Sequence, residues 1–373
     1  MKIIIVGGSM AGLSAGIALA CKGFETEIFE RSSIDMQNRG AGLVIQPEMR
    51  DYMLRHHITT PELFGTSASQ TQYLDASGAV VQKYYNGFPA FTSWSHVWRQ
   101  LKSFYPENKY HFNHQLRSIS DKSDRIEVTF TNGRKVQGDL LIGADGYESV
   151  VRSFLYPTVK PRYAGYTVYR GLVAEDKLSA EERAFFEDKM TFYNPLRSVI
   201  IAYMVPGENG ELIKGKRQLN WAWAANKTQV ELEAIMLDKN SVQRHFSVPQ
   251  GLLSEESVGL LRQQSVDALP SRFSEIIRKT QSPFAQAIVD LSVPEMYRDR
   301  TVLIGDAAFV VRPHTASGTA KASKDAIELA EQLSASPDQI GDALRRWNEV
   351  RKIDILDLAQ YGRDIADRIG LGF

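Results

Sequence analysis

The amino-acid sequence predicts an α/β fold in which a parallel-sheet domain is interleaved with a smaller α+β domain and followed by a long C-terminal helical segment. Three observations support this prediction. A strand, a helix and a second strand open the chain within about thirty residues. Strand-like segments alternate with helical ones between about residues 163 and 294, and a helix-rich tail runs from about 317 to 368.

The parallel-sheet domain is expected to use segments that lie far apart in the chain. Its opening strand, helix and strand are predicted at 2–6, 10–22 and 26–29, and later elements are a helix at 96–105, hairpin strands at 115–120 and 125–131, and buried strands at 139–143 and 300–304. A strand at 80–84 precedes a loop that contains Asn86, Gly87 and Pro89. We expect the chain between about 43 and 75 to be less regular.

The smaller domain is predicted to be an antiparallel sheet with helices on one side, because strand patterns at 167–173, 199–205 and 218–225 precede a helical region. We therefore assign residues 1–70, 96–162 and 295–335 to the first domain. Residues 71–95 and 163–294 form the second, and residues 336–373 the C-terminal helical segment.

The composition indicates an ordinary globular protein. Lys+Arg and Asp+Glu both number 44 in 373 residues, so no excess of charge points to nucleic acid or an anionic membrane as a partner. No segment approaches the roughly 20 apolar residues of a membrane span. The single cysteine, Cys21, is expected in the core and excludes an internal disulfide. We predict a cytoplasmic protein, and the sequence is compatible with a homodimer.

A glycine-rich loop joins the first predicted strand to the first helix. Its backbone, at Gly7, Ser9, Met10, Ala11 and Gly12, is placed to receive a pyrophosphate at a helix N-terminus, as in a Rossmann-like dinucleotide site. Ser9 stands where the second glycine of the fingerprint is usual. Glu30 ends the second strand, where an acid binds the ribose hydroxyls. These features indicate a dinucleotide, and both FAD and NAD fit.

Two later segments resemble further motifs of a known family. Residues 139–146, Asp-Leu-Leu-Ile-Gly-Ala-Asp-Gly, and Gly305-Asp306 after a buried strand are similar to two signatures of the group A FAD-dependent aromatic monooxygenases, the para-hydroxybenzoate hydroxylase fold family. The resemblance implies that FAD is the cofactor and that Asp306 contacts a ribityl hydroxyl. It also implies that Asp145 and Gly146 lie near FAD and the route of the pyridine nucleotide.

The resemblance extends to other cofactor-binding residues. Arg31 matches the arginine of the family's acid–arginine pair, and Arg99 an arginine on the helix that approaches the flavin. Residues 312–321 look most like the dihydroxypyridine hydroxylase branch. Within them, residues 316–320 replace a Gly-Gln-Gly-x-Asn loop, and Phe309 stands where many members have histidine. The helix N-terminus persists, so we expect its end to face the flavin, with these residues: Pro313, Gly318, Thr319 and Ala320.

The resemblance implies a reaction as well. NADH or NADPH reduces FAD, O2 adds to it, and the flavin C4a-hydroperoxide hydroxylates a small electron-rich aromatic or N-heteroaromatic ring. The protein then has to position the ring and exclude water. His314, beside the flavin loop, is the candidate catalytic base, although a passive hydrogen-bonding role is favoured.

Aromatic residues of the second domain are candidates for the substrate pocket: Tyr193, Tyr203, Trp221 and Trp223. Trp221 and Trp223 share one face of their strand, and core packing is favoured over pocket lining for them. No histidine has metal-ligand spacing, so no metal is predicted. The alternatives are an FAD oxidoreductase without oxygen insertion and a non-catalytic flavin-binding regulatory protein. A flavin-dependent halogenase is disfavoured because the Trp-x-Trp at 221–223 lacks the following Ile-Pro.

Overall fold

The computed structural model describes residues 1–36, 40–85, 90–122 and 125–372, so the predicted loop at Asn86, Gly87 and Pro89 lies outside the described residues. The strands in chain order are β1 Lys2–Val6, β2 Glu25–Phe29, β3 Gly42–Val44, β4 Thr66–Ser67, β5 Gln70–Leu74, β6 Val80–Tyr85, β7 Ala90–Ser93, β8 Tyr110–His111, β9 Leu116–Asp121, β10 Ile126–Phe130, β11 Lys135–Gly138, β12 Leu140–Gly143, β13 Arg162–Ala174, β14 Lys189–Tyr193, β15 Ser198–Val205, β16 Gln218–Asn226, β17 Ser247–Val248, β18 Phe284–Ser292, β19 Tyr297–Arg298, β20 Thr301–Leu303 and β21 Phe309–Val310. The helices are α1 Met10–Cys21, α2 Pro47–Arg55, α3 Trp94–Phe104, α4 Val150–Leu155, α5 Ala180–Phe186, α6 Gln229–Ile235, α7 Glu255–Ala268, α8 Ser271–Lys279, α9 Gly318–Ala335 and α10 Ile340–Arg368.

A six-stranded sheet forms the centre of the first domain, in the order β19-β20-β12-β1-β2-β8. Strands β20, β12, β1, β2 and β8 are parallel, although their segments are separated by up to about 300 residues in the chain. Ile3, Ile4 and Ile5 of β1 are fully buried, as expected for a central strand covered on both faces. The predicted α/β fold with interleaved segments is confirmed.

The second large sheet is mainly antiparallel and runs in the order β17-β18-β13-β16-β15-β14-β5-β6, with β21 beside β18. Helices α5 to α8 contribute buried residues to the core on one face of this sheet, among them Phe186, Leu261 and Phe273. Side chains on the other face of this sheet form a separate hydrophobic cluster with Phe91 of β7. A three-stranded sheet, β3-β7-β4, therefore connects the first domain to this second face.

Two features differ from the sequence predictions. Cys21, expected in the core, is exposed, because it is the last residue of α1 and lies beyond the buried positions of that helix. The stretch after residue 43 contains helix α2, which buries only Met49, Tyr52 and Met53 and therefore has a weak apolar pattern. Among the described residues, no helix combines the length and the apolar character needed to cross a membrane.

Candidate active site

The glycine loop between β1 and α1 is closed by contacts that only glycine permits. Gly7 has φ +105°, and a Cβ there would lie 2.2 Å from the carbonyl oxygen of Ala144. A Cβ on Gly12 would lie 1.8 Å from the Gly7 carbonyl oxygen. Ser9 is the N-cap residue of α1 and makes no side-chain cap bond. The first amides of α1 are therefore available to an anion at this end of the helix.

Glu30 holds the same loop from the neighbouring strand. Its carboxylate accepts hydrogen bonds from the backbone amides of Gly8 and Ser32, each at 2.8 Å. Both oxygens retain acceptor capacity, but only 6% of the residue is exposed. Arg31 points outward and lies 3.9 Å from Glu148. The contact of Glu30 with a ribose remains a prediction.

Helix α3 packs against the glycine loop from the other side. Trp98 Nε1 donates to the Gly8 carbonyl oxygen at 3.0 Å, and the hydroxyl of Tyr110 donates to the same oxygen at 2.8 Å. Arg99, next along α3, has a buried Nη2 without a hydrogen-bond partner among the described residues. Sequence reasoning did not assign Trp98 and Tyr110 to the site, because their link to residue 8 spans at least 90 positions.

Asp145 follows β12 and caps helix α4. Its carboxylate accepts from the Ser149 hydroxyl and from the amides of Val150 and Val151, at 2.8 and 3.2 Å for the two amides. Burial raises the pKa of Asp145 above its ordinary value, although these hydrogen bonds oppose the rise. Gly146, with φ +79°, makes the turn that follows.

Arg152 of α4 links this turn to the third motif. Its Nη1 donates to the Ala307 carbonyl oxygen at 3.1 Å, and its Nη2 donates to the Tyr147 carbonyl oxygen. The sequence did not indicate this bridge, because Arg152 and Ala307 lie 155 positions apart in the chain.

The turn after β20 brings the third motif against the glycine loop. Gly305 has φ +60°, and a Cβ there would lie 2.8 Å from Cβ of Ala11. Its amide donates to Asp325 Oδ2 at 3.0 Å. Asp306 is accessible to solvent, yet burial raises its pKa, with Asp325 adding to the rise and Lys321 opposing it. This carboxylate lies at the carboxyl end of β20, where a parallel sheet binds its ligand, and we call the expected cofactor site at this end the cleft.

His314 lies in the turn that leads into α9. Its Nε2 is 2.8 Å from the hydroxyl oxygen of Tyr166 on β13, and the two rings stack. Burial and the neighbouring Arg312 lower the pKa of His314 to about 4, so its imidazole is neutral near pH 7. Ala316 has φ +53°, and α9 begins two residues later at Gly318. Pro313 and Gly318 are both exposed. We expect the first turn of α9, including Thr319 and Ala320, to border the cleft with its helix N-terminus.

The open face of the large sheet presents an arginine to this region. Arg170 Nη2 donates to the Gly42 carbonyl oxygen at 2.7 Å, and the Gly42 amide donates to Asn220 Oδ1 at 2.8 Å. Arg170 Nε and Asn220 Nδ2 are buried without hydrogen-bond partners among the described residues, and no carboxylate there forms an ion pair with Arg170. Tyr203 lies beside Arg170 and stacks on Phe91 at 4.4 Å between ring centroids. We call Arg170, Tyr203 and Asn220 the open-face triad.

The other aromatic candidates lie on the opposite face. Trp221 and Trp223 belong to the core formed with the helices, where their Nε1 atoms donate to Thr280 Oγ1 at 2.8 Å and Ser198 Oγ at 2.7 Å. Tyr193 packs against the same core. This placement agrees with the packing interpretation of the tryptophans, and of the four candidates it brings only Tyr203 to the open face.

Comparison with known proteins decides the family. The 2,6-dihydroxypyridine 3-monooxygenase of Paenarthrobacter nicotinovorans is 32% identical over 94% of this chain and 87% of its own length. This chain belongs to the group A FAD-dependent aromatic monooxygenases. The cofactor of this monooxygenase is FAD, with NADH or NADPH and O2 as co-substrates, as the sequence predicted. The resemblance to the dihydroxypyridine hydroxylase branch is confirmed as well.

Solved structures agree with this assignment. The 2,6-dihydroxypyridine-3-hydroxylase from Arthrobacter nicotinovorans superposes on the monooxygenase with a TM-score of 0.92, 30% identity, and coverage of 100% of this chain and 94% of the other. Klebsiella pneumoniae HpxO complexed with FAD and uric acid shares the fold, with a TM-score of 0.79, 21% identity and coverage of 99% and 89%.

A family model described as FAD binding domain-like matches residues 163–290. This range contains the open-face triad and most of the large sheet, whereas the glycine loop, Asp145 and Asp306 lie outside it. The individual FAD contacts therefore rest on geometry. The three motifs meet at the carboxyl ends of β1, β12 and β20, where a parallel sheet binds its ligand, and the residues present fit a dinucleotide there.

Proposed function

We propose that this monooxygenase hydroxylates a small hydroxylated N-heteroaromatic ring of the hydroxypyridine type, with phenols as the related alternative substrates. One observation carries the proposal beyond family membership. Arg170 is a half-buried guanidinium without a carboxylate partner among the described residues, on the sheet face that packs against β3 and β7. Such a charge suits an oxygen anion on the substrate ring.

The proposed cofactor contacts divide the cleft into four parts. The amides of the glycine loop receive the pyrophosphate, Glu30 the ribose, and Asp306 the ribityl chain, while the N-terminus of α9 faces the isoalloxazine. FAD, when bound, supplies the transfer of electrons and the activation of oxygen. The protein supplies the shape and the charge around it, including exclusion of water.

The open-face triad supplies the substrate side. A hydroxypyridine becomes more electron-rich when its hydroxyl loses a proton, and Arg170 stabilises the resulting oxygen anion. Burial raises the pKa of Tyr203 to about 12, although Arg170 opposes the rise, so the Tyr203 hydroxyl keeps its proton and serves as a hydrogen-bond donor. His314, whose pKa is lowered to about 4 and whose Nε2 lies 2.8 Å from the Tyr166 hydroxyl oxygen, is a weak base near pH 7, so we propose the passive hydrogen-bonding role for it.

The domain assignment made from the sequence, a cytoplasmic location and a homodimeric state belong to the same proposal. The single cysteine supports the location, and the sheet topology supports the domain boundaries. Light scattering of the purified holoenzyme measures the oligomeric state directly.

The test is a substrate panel with the purified holoenzyme. The panel contains hydroxypyridines, phenols and unsubstituted pyridine, and the readouts are NADH and NADPH oxidation, H2O2, and product mass under 18O2. We expect a hydroxypyridine product that carries one 18O atom, with no product from pyridine. Reduced nucleotide consumed into H2O2 alone across the panel indicates an oxidoreductase without oxygen insertion. FAD binding without any stimulated oxidation indicates a flavin-binding regulatory protein, and either result contradicts the proposal.

A further inference from the structure

Lys321 is a lysine sealed inside the protein directly behind the floor of the cleft. None of its side chain is exposed, and its Nζ has no hydrogen-bond partner among the described residues. The nearest carboxylate oxygen is Asp325 Oδ2, at 3.8 Å. That carboxylate is already engaged, because Oδ2 accepts from the Gly305 amide and Oδ1 accepts from Arg351 at 2.8 and 3.0 Å.

The position of Lys321 in α9 further raises the free-energy cost of its positive charge. The residue lies in the first turn of an 18-residue helix, where the macrodipole is positive and favours an anion. A buried ammonium without a hydrogen bond is also poorly solvated. Neutral side chains of similar length would avoid both costs. An anion near the N-terminus of α9 would compensate the ammonium and the helix end together.

The surroundings indicate where this anion binds. Asp306 lines the cleft and interacts electrostatically with Lys321. The charged groups on the other side of Asp325 lead away from the cleft. Arg351 Nη1 donates to Asp354 Oδ2 at 2.9 Å, and Lys324 Nζ donates to the same oxygen at 2.6 Å. The charges beyond Asp325 thus lie toward α10, and the interaction with Asp306 links Lys321 to the cleft floor. Because Nζ has no accessible surface, the interaction acts through space across the Gly305–Ala307 turn.

We propose that Lys321 is a positioning residue whose buried positive charge stabilises an anionic group of the bound cofactor from behind the cleft floor. Two groups of FAD have this chemistry: the pyrophosphate, which is anionic in both redox states, and the isoalloxazine ring, which becomes anionic on reduction. The inference rests on FAD as the cofactor and does not depend on which ring the enzyme hydroxylates.

The test compares Lys321→Met with Lys324→Met in the purified holoenzyme. Lys324 is on the same helix, but it is 37% exposed and pairs with Asp354 and Glu328. Two quantities are measured: the dissociation constant of oxidised FAD and the two-electron reduction potential of the bound flavin. If the charge acts on the reduced ring, Lys321→Met lowers the affinity for reduced FAD about tenfold relative to oxidised FAD, a potential about 30 mV more negative. If it acts on the pyrophosphate, oxidised FAD binds about tenfold more weakly and the potential stays unchanged.

Either of these results supports the inference, provided that Lys324→Met matches the parent protein in both quantities. Unchanged affinity and unchanged potential in Lys321→Met would overturn it. Lys321→Arg keeps the charge and is expected to keep the parent values. If the methionine variant folds poorly, Lys321→Gln removes the charge with a polar side chain and is measured in its place against the same two outcomes. A parent enzyme that binds FAD but forms no hydroxylated product contradicts the proposed function and leaves this comparison intact.

Discussion

The two faces of the large antiparallel sheet are built from neighbouring residues but in different ways. On the helix-covered face, Trp221 and Trp223 are buried and both indole N–H groups are hydrogen-bonded. On the open face, Arg170 is half-buried, and Arg170 and Asn220 each keep a donor without a partner among the described residues. Satisfied polar groups in a dense core stabilise the fold, whereas buried donors without a partner mark a place where a water or a ligand can complete the hydrogen bonds. Within one sheet, the helix-covered face therefore stabilises the fold, and we propose that the open face binds the substrate.

The largest expected effect is on the helix-covered face. Trp221→Ala removes a fully buried side chain and its bond to Thr280, so we expect it to lower the free energy of unfolding by about 3–5 kcal/mol. Denaturant unfolding of the holoenzyme measures this loss. The matched variant Leu172→Ala, at a half-buried position of the open face, is expected to lose less. Equal losses at the two positions would remove the distinction between the faces.

The next largest effect is on activity rather than on stability. Arg170→Met removes the proposed anchor of the ring oxygen, so kcat/KM is expected to fall about a hundredfold, equivalent to about 2.7 kcal/mol of transition-state stabilisation. Its free energy of unfolding is expected to fall by about 1.5–3 kcal/mol, less than for Trp221→Ala, because the hydrogen bond from the guanidinium to the Gly42 carbonyl oxygen is lost. Arg162→Met, an exposed position on the same strand, is the control. Parent activity in Arg170→Met would show that the open face does not bind substrate.

A smaller effect is expected at the cleft floor. Asp306→Ala removes the proposed acceptor of a ribityl hydroxyl, so FAD is expected to bind about tenfold more weakly, close to 1.4 kcal/mol. Equilibrium dialysis measures this constant, and Asp176→Ala, which changes an exposed carboxylate far along the chain, is the control. Unchanged flavin content in the Asp306 variant would contradict the assigned contact.

The smallest effect concerns pH. Burial lowers the pKa of His314 to about 4 from its ordinary value of 6.5, so the folded state favours the neutral imidazole. The stability that this difference contributes is present above pH 6.5 and is lost as the pH falls from 6.5 towards 4. Thermal unfolding at pH 7 and pH 4.5 should therefore show a smaller acid-induced loss in His314→Gln than in the parent, while the exposed His245→Gln behaves like the parent. An equal loss in all three proteins would show that His314 does not titrate as described.

The sequence predicted the features that depend on short stretches of chain. The glycine loop, Glu30 and the two strand-end aspartates follow from local patterns, and their segments meet because parallel strands end at a common edge. The open-face triad could not be predicted in the same way. Arg170, Tyr203 and Asn220 become neighbours through the register of three strands, and of the three only Tyr203 was a candidate from the sequence.

The tryptophans show the limit of the alternation rule. Alternation correctly placed Trp221 and Trp223 on one face of β16, but it contains no information about which face the helices cover. Lys321 shows a related limit, since its burial depends on the packing of α9 against the Gly305–Ala307 turn and α10 rather than on its own helical pattern.

Gly42 limits which positions of this enzyme can be changed in a redesign for another substrate. Two side chains of the large sheet hold a single residue of β3, one through its carbonyl and one through its amide, and a Cβ on Gly42 would lie 2.5 Å from Cγ of Asn220. The proposed substrate wall, on the open face, and strand β3 are thus held together at this residue, which acts as a latch. Redesign for a different ring should begin at Ala222 and Ile201, which share the wall but take no part in the latch, because a new side chain at position 220 would reshape the pocket and release the strand in the same step.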